Sequence, residues 1–85
     1  MEIHVYDTYV KAGDGRTMHF DVITGEKDHA KAIEFGKQWL ETIGEGSATM
    51  TQNECQFCHS QDAPAPVTQA IEKDGYYIQK MEGCP

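Results

Sequence analysis

The sequence predicts an α+β fold with its elements in the order ββαβαβ. Three observations carry this expectation. Two β-branched and aromatic runs flank a glycine-bearing bend near the amino terminus, one amphipathic stretch has helical spacing, and the carboxy-terminal third places a short helical run before a last strand. At 85 residues the chain has material for one compact domain, residues 1–85. A mostly antiparallel sheet with one long and one short helix packed on one face is the natural layering.

The first strand is expected over Glu2 to Val10 and the second over Thr17 to Thr24, both rich in residues that suit a pleated surface. Between them, Gly13 and Gly15 supply the positive φ of a hairpin bend. Pairing Tyr9 with Met18 would group Ile3, Val5, Asp7 and Tyr9 with Met18, Phe20 and Val22 on the core face. His4, Tyr6, Thr8, His19, Asp21 and Ile23 would then share the other face.

A helix follows from Asp28 to Ile43. Asp28 can accept from first-turn amides, and Gly44 suits the left-handed residue after the last turn. Ala32, Ile33, Phe35, Gly36, Trp39, Leu40 and Ile43 fall on one broad face, opposite Glu34, Lys37, Gln38 and Glu41. Gly36 costs about 1 kcal/mol relative to alanine, which implies close approach of the helix backbone to the sheet. Ala48 to Glu54 reads as a weaker third strand leading into a cysteine cluster, followed by a proline-bearing loop from His59 to Pro66. Val67 to Lys73 forms a short helix, Asp74-Gly75 turns the chain, and Tyr76 to Met81 is the last strand.

Fourteen acids against seven bases give a net charge of −7. Such a field repels a polyanion, and no basic stripe offsets it, so nucleic acid is not an expected partner. The opening residues lack a basic, apolar leader pattern, and no run of about 18 apolar residues is available to span a membrane. A cytoplasmic location is therefore expected, where thiols stay reduced. The core of so short a chain buries only about 60–65% of the surface the unfolded form exposes. A metal, a disulfide or an oligomer interface is a common staple for such a domain, which is expected to be a monomer or a weak homo-oligomer.

The strongest chemical feature is Cys55-Gln56-Phe57-Cys58-His59. Two thiolates spaced by two residues reach one tetrahedral zinc ion, and His59 and Cys84 are the ligands nearest to hand. Zinc bound by Cys55, Cys58, His59 and Cys84, as a structural or accessory site, is the first expectation. A thiol-disulfide protein would use Cys55 as nucleophile and Cys58 as resolving thiol. The pattern also matches a haem-attachment motif, but haem needs export and sits poorly with a hairpin opening. The plain alternative is two small buried hydrophobes beside a hydrogen-bonded histidine. Neither a Ser-His-Asp order nor a phosphate loop occurs, so an enzyme is the less expected class.

Asp7 is expected on the core face, where its carboxylate needs partners. The set His4, Tyr6, His19 and Asp21 reads chiefly as a solvated sheet face, although two histidines and a carboxylate suit a metal. His29 is expected at the surface.

Five blocks resemble one family: Val5 to Val10, Met18 to Val22, Cys55 to Ser60, Gly75 to Ile78, and Met81 to Cys84. It is a family of short bacterial proteins catalogued as a domain of unknown function, number 2024. The resemblance covers nearly the whole chain and implies a compact α+β bacterial protein. It brings no activity, cofactor or partner, and it draws attention to Asp7, Asp21 and Cys84.

Overall fold

The computed structural model describes residues 1–48, 50 and 55–82. In chain order the elements are β1 (Glu2–Lys11), β2 (Thr17–Thr24), α1 (His29–Thr42), β3 (Cys55–Asp62), α2 (Ala65–Asp74) and β4 (Tyr76–Lys80). The four strands form one sheet in the order β3-β1-β2-β4, and every neighbouring pair is antiparallel. The α+β class and the ββαβαβ order are those the sequence predicts.

The first hairpin sets the register. The Ala12 amide donates to the Arg16 carbonyl at 2.8 Å, and Gly15 turns through a left-handed φ of 87°. This closes residues 12–16 as the loop and pairs Tyr9 with His19 and Val10 with Met18. The expected partner of Tyr9 was Met18, so the register differs by one residue. A one-residue step exchanges the face on which one strand meets the other. Tyr6, Thr8 and Val10 therefore join Met18, Phe20 and Val22 in the core, while Asp7 and Tyr9 join His19 and Asp21 on the opposite face.

α1 begins at the predicted cap. The Asp28 carboxylate accepts from the Lys31 amide at 3.2 Å, and Gly44 follows the helix with φ 78°. Ala32, Gly36, Trp39 and Leu40 are its buried residues, packed with Tyr6, Phe20 and Val22. A Cβ on Gly36 would stand 2.6 Å from the tip of Met50 and 3.4 Å from Val22, which accounts for the glycine by close packing.

α2 starts at Ala65, earlier than expected, because Pro66 in a first turn sacrifices no hydrogen bond. Its Val67 and Ile71 pack on Ile3, Val5 and Ile23. Val5 and Ile23 are direct partners and alternate with the residues beneath α1. The two helices accordingly cover opposite faces, which corrects the expectation that both share one. The cause is again register: the apolar residues divide between both faces, and each set needs its own cover.

The third strand also departs from the reading of the sequence. Residues 51–54 of the anticipated Ala48–Glu54 strand lie outside the described residues, and Ala48 sits in a bend. The observed strand is the cysteine cluster and its continuation to Asp62, so residues 59–62 of the anticipated loop are extended backbone. Pairing with β1 outweighs the modest strand preference of Gln, Ser and Asp. Opposite the Val5–Tyr6 step the ladder skips one residue: Val5 meets His59 and Tyr6 meets Phe57. Cys58 is the extra residue of a β-bulge.

Candidate functional site

α2 covers only the end of its face that holds Ile3, Val5 and Ile23. Farther along the same face, toward the hairpin bend, stand Asp7, Tyr9, His19 and Asp21. Asp7 and Asp21 are direct cross-strand partners, as are Tyr9 and His19. The Tyr9 ring stacks on the His19 imidazole, with centroids 4.1 Å apart and planes 10° from parallel. His19 Nε2 lies 2.5 Å from Asp7 Oδ1, so an imidazole N–H donates to a carboxylate on the diagonal neighbour. The His19 and Asp7 side chains are 21% and 39% exposed, which leaves the pair reachable from solvent.

Asp21 completes the group. Burial, then a hydrogen bond to the Asp7 carboxyl and the Asp7 charge, push its carboxyl above the ordinary carboxylate value, while His19 and His59 pull it down. Two carboxyls set opposite each other in a sheet repel when both are ionised, so the pair favours a shared proton or a cation. Potential ligand atoms of Asp7, His19 and Asp21 all lie within 4.8 Å of one another. Among the described residues, this is the group of three or more His, Cys, Asp or Glu side chains with that property.

The structure separates the sequence-predicted ligands. Cys55 is fully buried on the α1 face, opposite Thr8. Burial pushes its thiol up, with the Thr8 hydroxyl opposing through a hydrogen bond. Cys58 is exposed on the bulge, its Sγ 3.3 Å from Nδ1 of His59. His59 also bonds Gln61 Oε1 through Nε2 at 2.7 Å. His59 pairs with Val5 on the Asp7 face, whereas Cys55 belongs to the other face. Cys84 lies outside the described residues.

The predicted polar face is likewise redistributed. Tyr6 is 2% exposed and part of the core, His4 bonds the Ser60 hydroxyl at 2.7 Å, and His19 with Asp21 joins Asp7. His29, expected at the surface, is half-buried: it stacks on Tyr6 and donates through Nε2 to the Cys55 carbonyl. The sequence groups His19 with Asp21 but places Asp7 on the opposite face, whereas the observed register makes Asp7 the direct partner of Asp21. The length of the closed hairpin loop was the signal that would have united them.

No helix of the described residues is long and apolar enough to cross a membrane. A family model described as "Domain of unknown function (DUF2024)" matches residues 1–81. Among solved structures, the chain is similar to the NMR structure of protein NE1680 from Nitrosomonas europaea. The two are 64% identical over 100% of each chain, with a TM-score of 0.90. The curated proteins yield no significant match.

Proposed function

The chain belongs to the DUF2024 family, and because that membership names no chemistry we propose a function from the site itself: binding of a divalent metal ion through Asp7, His19 and Asp21. The observation that carries this reading is the convergence of one imidazole and two carboxyls within 4.8 Å on a solvent-reachable sheet face. Metal–nitrogen and metal–oxygen bonds of about 2.0–2.2 Å draw three such groups together with side-chain adjustment alone. An imidazole with two carboxylates suits zinc, manganese or ferrous iron. The ion would offset the repulsion between the two facing carboxyls. Rigid strands on both sides of the site limit the entropy lost on binding.

Zinc on Cys55, Cys58, His59 and Cys84 is the competing site. It needs the fully buried Cys55 thiol and His59, which belong to opposite faces of the sheet. A thiol-redox role needs a readily ionised first cysteine, while burial drives Cys55 the other way.

Equilibrium dialysis of the full chain against zinc and manganese, with elemental analysis, tests the proposal. One ion per chain is expected, with affinity lowered at least about tenfold by Asp7→Asn or Asp21→Asn and unchanged in Cys58→Ser. Loss of binding in Cys55→Ser or Cys58→Ser, with Asp7→Asn unaffected, would place the ion at the cysteines and defeat this assignment.

A further inference from the structure

The sheet has two edges, and they are built differently. β3 carries the bulge at Cys58, and the Lys27 ammonium lies over its Phe57 ring at 4.3 Å; bulges and charges are the usual protection of a strand edge. β4 pairs with β2 residue for residue from Tyr76 to Lys80, and the ladder steps only beyond it, where His19 bonds both Met81 and Glu82. A groove lined by Trp39, Thr42, Ala70, Asp74, Tyr77 and Ile78 runs along it, with a volume near 440 Å³.

The ladder phase defines what the β4 edge offers. The Met81 amide donates to the His19 carbonyl at 3.0 Å, so residue 81 faces β2. By the alternation of an antiparallel strand, the N–H and C=O groups of Tyr76, Ile78 and Lys80 point away from β2. That set is self-complementary. Turned about a two-fold axis through Ile78, a second β4 places Ile78 against Ile78, and Tyr76 against Lys80 twice, each a hydrogen-bonded pair.

Charge agrees with that register. Asp74 lines the groove beside Tyr76 and acts electrostatically on its hydroxyl. Lys80 of one copy, set opposite Tyr76 of the other, brings an ammonium to that carboxylate, once in each direction. The chain carries a net charge of −7, so two such lysine–aspartate pairs would offset the repulsion between two like-charged copies.

We propose that two copies of this chain pair antiparallel through β4 about Ile78, joining two four-stranded sheets into one continuous sheet and closing the Trp39 groove with the partner's strand. The contact is isologous, as closed two-fold assemblies require, and it uses the edge charge Lys80 to pair with the partner copy rather than to repel it.

Sedimentation equilibrium of the full chain is expected to give twice the 9.5 kDa chain mass, and hydrogen exchange to show slow amides at Tyr76, Ile78 and Lys80 in the dimer. Lys80→Glu, an exposed change, should weaken association about tenfold by setting like charges against each other. Adding Asp74→Lys to that variant should restore it, and a lysine at a helix carboxy terminus does not harm the fold. A chain that stays monomeric at about 1 mM overturns the proposal. So does a dimer with fast-exchanging outward amides, or one indifferent to Lys80→Glu or unrestored by the double exchange. Protection of those amides in a monomer, only when an unrelated extended peptide is added, would assign the edge to a foreign strand instead.

Discussion

The His19 imidazole and the Asp7 carboxylate meet at 2.5 Å across the first hairpin, and Asp21 faces Asp7 directly from β2. Asp7 is thus the shared acceptor of the group, which makes the charge state of Asp21 the variable that governs it.

Asp21→Asn is expected to change the pH dependence of stability. The folded-state pKa of Asp21 is raised above its ordinary value of 3.8, first by burial. A raised carboxyl binds its proton more tightly folded than unfolded. Its contribution is therefore fully present below the ordinary value and is lost as pH rises through the raised one. Asparagine keeps a neutral partner for Asp7 at every pH. Without metal, the variant should match the wild type below about pH 4. At pH 7 it should be more stable by about 0.5 kcal/mol, the scale of one like-charge pair in a sheet. Urea denaturation at both pH values measures this, and a variant less stable than wild type at pH 7 would contradict it.

The same residues show what the sequence could and could not convey. Both strands of the hairpin, the Asp28 cap, Gly44 and the buried face of α1 were readable because they depend on local spacing and on the backbone freedom of glycine. The partnership of Asp7 with Asp21 was not, since it turns on whether Ala12 belongs to the strand or closes the loop against Arg16. That single step also hid the division of the helices between two faces. The cysteine run was legible as chemistry but not as a strand, because β3 is held by pairing with β1 rather than by the preferences of its own residues.

Thiol reactivity should divide the cysteine pair. Cys58 is exposed, while Cys55 is fully buried and burial pushes its thiol up. Reaction follows access and thiolate fraction. In native protein a thiol reagent at pH 8 is expected to modify Cys58 rapidly and Cys55 only on global unfolding. Peptide mapping after a short alkylation pulse reads the two sites separately. Equal labelling of both would show that the α1 face opens locally at Cys55.

His29 is the link between the first turn of α1 and the strand that carries the cysteines. Its ring stacks on Tyr6, with centroids 5.8 Å apart and planes 9° from parallel, and its Nε2 donates to the Cys55 carbonyl. That donor satisfies a carbonyl next to a fully buried side chain, and removing it leaves the carbonyl short of a partner. His29→Ala should cost about 1–2 kcal/mol. In a domain of this size, that corresponds to a fall in Tm of very roughly 5–15 °C. His29→Phe keeps the stacked ring and loses only the donor, so its loss should be the smaller of the two. If both variants melt with the wild type, the contact is dispensable and α1 is held to β3 by its apolar face alone. If phenylalanine fully restores the melting temperature, stacking rather than the hydrogen bond secures the junction.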